Sequence, residues 1–187
     1  MLCSGSIIGN RTILTTELCV NKFNLTDLKV HAGTISLKDK GKVYSIKSVL
    51  IKNSIALLHL NASIVFNNTI RPIKLPTSNI DSGACNLIGW TRTEHCNNLL
   101  DNLQEMELDI YSYEKCKQIY PYIRKNIICA QPKGRDTCYD DLGAPLVANG
   151  TLIGIAHLTT KINPFIPIDG FLRIFLSTKW INENMGK

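Results

Sequence analysis

Gly134-Arg-Asp-Thr-Cys-Tyr-Asp-Asp-Leu-Gly-Ala-Pro-Leu-Val147 sets a cysteine and three aspartates ahead of a Gly-Ala-Pro turn into an apolar run. Two other stretches read with it: Leu2-Cys-Ser-Gly-Ser-Ile-Ile-Gly-Asn-Arg-Thr-Ile-Leu-Thr-Thr-Glu-Leu-Cys-Val20 and Asn53-Ser-Ile-Ala-Leu-Leu-His-Leu60. Around them, short β-rich runs are separated by Gly, Asn, Asp and Pro, which argues for an all-β architecture. Strands are predicted at Ser6–Ile8, Thr12–Thr15, Leu28–His31, Val43–Ile51 and Ile55–Leu60. Further strands are predicted at Cys85–Trp90, Glu105–Ile110, Asn126–Cys129, Pro145–Val147 and Leu152–Ala156. Met106, Leu108 and Ile110 alternate with acidic residues, the period of a half-buried strand. A short helix is expected from Ser112 to Tyr120, stopped by Pro121, and a terminal helix from Ser177 as N-cap to Met185, with Trp180 and Ile181 inward.

These three stretches resemble the signatures of the trypsin-like (chymotrypsin-type, peptidase S1) serine proteases, in the family's order. The first resembles Cys-x-Gly-Asp-Ser-Gly-Gly-Pro, the second Cys-Gly-Gly-Ser-Leu-Ile … Ala-Ala-His-Cys, and the third Asn-Asp-Ile-Ala-Leu-Leu. The resemblance runs from Cys3 through the terminal helix. It implies two packed antiparallel six-stranded β-barrels, the first truncated at its N-terminal side, with a C-terminal α-helix. It also places the lobes at residues 1–77 and 78–187, divided at the connector Arg71-Pro-Ile-Lys-Leu-Pro-Thr-Ser78, and together forming one domain. A loop that overhangs the cleft in the family has no counterpart between Ser48 and Ser54. A missing upstream segment is expected, because the family's first strand and the freed amine that pairs with the carboxylate matching Asp141 have no equivalent.

Residue by residue, the resemblance puts Leu142 where the family has its serine nucleophile, Leu18 in place of the histidine, and Ser54 in place of the buried aspartate. The triad needs a base for the hydroxyl proton and a carboxylate to hold the imidazole tautomer. None of the three replacements can fill its role. The oxyanion-hole positions are Asp140 and Leu142, and a carboxylate near a developing negative charge has the wrong sign. Specificity-pocket positions fall on Asp136, Thr159 and Asp169, so a slot for a basic side chain and a collapsed pocket are both open readings. His157 falls beside the old catalytic centre, near Ser54 and Leu18. A thiol dyad of Cys138 with His157 is disfavoured, since the matching sulfur points behind the pocket. His31, His59 and His95 read as ordinary strand or loop residues.

The seven cysteines suit an oxidising compartment. The resemblance implies Cys3–Cys19 and Cys116–Cys129 disulfides. Of the rest, the family partner of Cys85 falls at Ala148, and that of Cys138 in a loop without cysteine. Cys96–Cys138 is then the expected pair, with Cys85 buried and inert; the connectivity of these three stays open.

The net charge of +6 on 187 residues is modest and scattered, which reads as solvated surface and not as a nucleic-acid site. No stretch of about twenty apolar residues is present to span a membrane, and no cofactor or metal-ligand spacing is found. The start lacks the basic and apolar regions of a signal peptide. Five Asn-x-Ser/Thr sequons, at Asn10, Asn24, Asn61, Asn67 and Asn149, sit near predicted turns and mark surface loops of a secreted glycoprotein. The expectation is a secreted, inactive protease homologue that binds a protein partner in a proteolytic cascade, immune or venom setting, of unspecified oligomeric state. The alternatives are an active serine endopeptidase and a decaying fragment.

Overall fold

The computed structural model describes residues 3–90, 100–133, 141–158 and 168–186. Asp136, Asp140, Thr159, His95, Cys96 and Cys138 therefore lie outside the described residues.

The first five strands are β1 (Ser6–Gly9), β2 (Thr12–Thr16), β3 (Lys29–Ala32), β4 (Lys42–Lys52) and β5 (Ile55–Leu60). They form one sheet in the order β1-β2-β5-β4-β3. The next six are β6 (Gly83–Gly89), β7 (Gln104–Tyr111), β8 (Ile127–Pro132), β9 (Pro145–Ala148), β10 (Thr151–Leu158) and β11 (Asp169–Arg173). They close into a barrel in the order β10-β11-β8-β7-β6-β9. The expected architecture is borne out, with the first sheet an open half-barrel. Two short helices, α1 (Tyr113–Ile119) and α2 (Thr178–Asn184), complete the fold.

The central strand of the first sheet, β5, is buried along its whole length and pairs with both β2 and β4. Five of its six residues are apolar, and the sixth, His59, is buried as well. In the barrel, β7 keeps Leu108 and Ile110 inside and its acids outward, because successive side chains alternate across the pleat. One core cluster joins sheet to barrel: Leu14, Ile55 and Leu57 pack with Leu152, Ile155 and Ile181. Between them, the connector bonds both ways, Ile73 N–H to the Ile7 carbonyl and the Leu152 N–H to the Lys74 carbonyl, each at 2.9 Å.

Two expectations are corrected. The strand β11 has no counterpart among the predicted ones; its Asp-Gly start reads as a turn, yet Gly170 to Arg173 are buried between β8 and β10. Ser177 stands at the N-cap position of α2, as expected, but its side chain makes no capping hydrogen bond. A 3-10 turn, Phe175–Ser177, runs straight into the helix, so Ser177 already has helical backbone angles and is buried. Inward packing of Ile181 and Trp180 holds. Helix α1 starts as expected, with the Ser112 hydroxyl accepting from the Lys115 N–H, which satisfies one of the unpaired donors of the first turn.

Candidate functional site

Strands β4 and β5 are joined by Asn53 and Ser54 alone, with φ of 51° and 65° and Lys52 paired to Ile55 across the turn. Two left-handed residues in a two-residue loop make the hairpin turn whose twist matches the strands. The overhanging loop is thus absent, as expected, and Ser54 stands at a hairpin tip.

From that tip Ser54 ties to the segment after β2. Its hydroxyl donates to Glu17 Oε1 at 3.0 Å, and its carbonyl accepts the Glu17 N–H at 2.9 Å. Glu17 opens the 3-10 turn Glu17–Cys19, which the Cys3–Cys19 disulfide pins and which carries Leu18, half-buried, at its middle. Thr16, fully buried, has its hydroxyl 2.6 Å from His157 Nδ1 and 3.4 Å from the Ser54 carbonyl. So His157 does come close to Ser54, through Thr16. Burial pushes the His157 pKa down, and the nearby Glu17 carboxylate opposes that shift. The imidazole is held neutral at physiological pH. Nothing in the periodicity singles out Thr16 and Glu17; the only sequence signal is a polar pair directly before Leu18.

Leu142 faces a different environment from that of a nucleophile. Its carbonyl accepts the Ser4 N–H at 2.8 Å, and its half-buried side chain packs on the core of the first sheet, which includes Ile13, Val20 and Leu58. Gly143 follows with φ of +81°, where a Cβ would sit 2.2 Å from the Ser4 carbonyl oxygen. Only glycine fits that approach.

Asp141 is 2% exposed. Its Oδ2 accepts from the Ser4 hydroxyl at 2.6 Å and from the Trp90 N–H at 2.8 Å. Oδ1 is buried with no hydrogen-bond partner among the described residues. Burial raises the pKa of this carboxyl, and the Ser4 and Trp90 hydrogen bonds pull the other way.

Asp169 begins β11 opposite Ala130, and it helps raise the Tyr120 pKa, after burial as the larger cause. The Cys3–Cys19 and Cys116–Cys129 disulfides are present, and Cys85 is a buried free thiol pushed up to about 12, chiefly by burial. Ala148, facing the same core, leaves it no partner thiol there. His59 is buried between Ser48 Oγ and the Asn184 carbonyl, and His31 lies on the Lys40 carbonyl. Both are structural contacts. Among the described residues no group of three or more His, Cys, Asp or Glu could hold a metal ion.

The fold, the disulfides and the order of the three signatures converge with a match of the Trypsin family model to residues 1–181. The chain belongs to the trypsin family. Two of its trypsin-family relatives, Trypsin delta and Trypsin gamma of Drosophila erecta, are each 34% identical over 82% of this chain and 66% of their own length. The chain spans just under two thirds of these relatives. Chymotrypsin-2 of Vespa crabro is 31% identical over 97% of this chain and 88% of its own. Among solved structures, neuropsin, a serine protease expressed in the limbic system of mouse brain, superposes with a TM-score of 0.84 at 27% identity, covering 98% of this chain and 89% of neuropsin. The scabies mite inactivated protease paralogue S-D1 shares the fold, with a TM-score of 0.87 at 24% identity over 97% of this chain and 85% of that one.

Proposed function

We propose that this chain is a trypsin-family protein without peptidase activity, an extracellular pseudoprotease that acts by binding a protein partner such as a protease, an inhibitor or another cascade component. The observation that carries the reading is what occupies the three positions of the triad. Leu142 packs into apolar core, Leu18 has no titratable atom, and Ser54 is spent on the Glu17 carboxylate. A leucine side chain has no lone pair with which to form an acyl-enzyme. The family's fold also accommodates proteins named as inactivated paralogues, such as that of the scabies mite, so loss of chemistry does not require loss of structure. Disulfides at Cys3–Cys19 and Cys116–Cys129 support the extracellular part.

The test is labelling by a fluorophosphonate probe together with turnover of fluorogenic peptide and ester substrates. Neither labelling nor turnover is expected. Turnover that disappears on mutating His157 or Cys138 would overturn the reading in favour of an endopeptidase.

We further propose that the partner contacts the cleft beside the two-residue β4–β5 turn, with Asp136 and Asp169 as acceptors for a basic side chain. A double Asp136→Asn, Asp169→Asn variant should weaken benzamidine binding, since a lost buried charge pair costs about 2–5 kcal/mol. Absence of benzamidine binding by the wild type, with a gain in stability for the variant, would move the contact to another surface.

A further inference from the structure

Two pairs of large apolar side chains are exposed beside sequon asparagines. Phe23 and Leu25, 40% and 38% exposed, flank Asn24, and Val65 and Phe66, 65% and 41% exposed, directly precede Asn67. Scattered single apolar residues on a surface are ordinary, but adjacent pairs that stay wet point to something that covers them. The second pair is held outward by its neighbours. Ile64 and Ile70 on either side are buried anchors, at 3% and 4% exposed. Asn67 itself is exposed and rigidly presented. Its Oδ1 accepts from the Thr69 N–H at 2.8 Å, the Thr69 hydroxyl at 2.9 Å and the Ile70 N–H at 2.9 Å. All three of these bonds fall on the oxygen, while the amide nitrogen is the atom a glycan would take.

We propose that Asn24 and Asn67 carry N-linked glycans whose inner sugars lie over the Phe23/Leu25 and Val65/Phe66 pairs. The inference rests on the extracellular part of the proposed function. In the attachment step, Asn Nδ2 bonds to C1 of an oligosaccharide carried on a lipid pyrophosphate. The C1–O bond breaks, the lipid pyrophosphate leaves with the electron pair, and Nδ2 loses one proton. A sugar's apolar C–H face covers aromatic and aliphatic carbon while its hydroxyls face water, so a bulky solubilising group sits where the bare chain is sticky. Asn10 and Asn61 extend the same edge: the Ile64 N–H donates to the Asn10 carbonyl at 2.6 Å, and Arg11 Nε donates to Ser63 Oγ at 2.8 Å. Asn149 differs. It sits in the β9–β10 turn with Gly150, and no exposed large apolar residue adjoins it in sequence, which makes it an internal control.

The experiment secretes the full chain from eukaryotic cells behind a cleavable leader and maps occupancy by peptide-N-glycosidase treatment in heavy-oxygen water. Both Asn24 and Asn67 should be occupied. Enzymatic deglycosylation of the folded protein should raise binding of an apolar fluorescent dye about twofold, as should Asn24→Gln with Asn67→Gln, whereas Asn149→Gln alone should leave it unchanged. Phe23→Ser with Phe66→Ser should cancel the rise. Secreted protein unmodified at both sites would overturn the proposal, and so would full occupancy with no change in dye binding on deglycosylation. Because treatment of the folded wild type needs no mutant, poor folding of a variant does not blunt the test. Probe labelling is independent of every one of these outcomes, so the pseudoprotease reading stands or falls separately.

Discussion

The Ser54 hydroxyl donates to the Glu17 carboxylate at 3.0 Å, and this contact sits where the resemblance sets the triad's own carboxylate. A Ser54→Asp substitution would put a second acid against the first at hydrogen-bond range. It removes a hydrogen bond to a charged group, worth about 1.5–3 kcal/mol, and adds like-charge repulsion. Urea denaturation at neutral pH should show a loss of that order, and adding Glu17→Ala should recover part of it.

Restoring Leu18→His, Ser54→Asp and Leu142→Ser together should yield at most traces of activity. Triad members act as a unit, and the variant leaves uncorrected Asp140, the acid that the resemblance sets at an oxyanion-hole position. The kcat/KM of the triple variant on a fluorogenic peptide is the measurement. A value near that of an ordinary protease would show that the rest of the centre had stayed intact.

Leu142→Ser alone should cost about 1–2 kcal/mol, from apolar area returned to water on the core of the first sheet. Thermal unfolding would read the loss, and a neutral result would mean that the side chain contributes no packing. Fluorophosphonate labelling should stay absent in this variant.

Asp141 and His157 give opposite pH signatures. Burial raises the folded pKa of Asp141 above its ordinary 3.8, so the folded state holds its proton longer than the unfolded one. Stability is then lost as pH rises from 3.8 through the folded value. Asp141→Asn should lack that loss, and the wild-type and variant stability curves should diverge with rising pH; parallel curves would refute the assignment. For His157 the folded pKa lies below 6.5, so its contribution is present above 6.5 and lost as pH falls. Its imidazole resonances should titrate below 6.5, and lower still in Glu17→Gln, where the opposing charge is gone.

Cys85 should resist iodoacetamide in the native protein and react on unfolding. Its thiol is pushed up to about 12, and the thiolate is the reactive form. Native-state alkylation at pH 8 would contradict its burial.

Much of this molecule is legible in its residues alone. Alternation and turn residues locate ten of the strands, because a pleated strand exposes its period of two in the chain itself. Spacing against the family's motifs anticipates both described disulfides and the identity of the residues at Leu18, Ser54 and Leu142. Strand β11 escapes, since its Asp-Gly start carries a turn signal and only burial between two neighbours makes it a strand. The non-capping Ser177 escapes for a similar reason: the preceding 3-10 turn, set by packing, already supplies helical backbone. The site itself is the clearest division. Against the family's motifs, the chain sets Leu18, Ser54 and Leu142 in the three triad places, and none carries the group that its place calls for. Only the tertiary structure decided what surrounds them: Glu17 and Ser54, 37 residues apart, meet when β2 pairs with β5 within the first sheet, and Thr16 and His157, 141 residues apart, meet only once sheet and barrel have closed on one another.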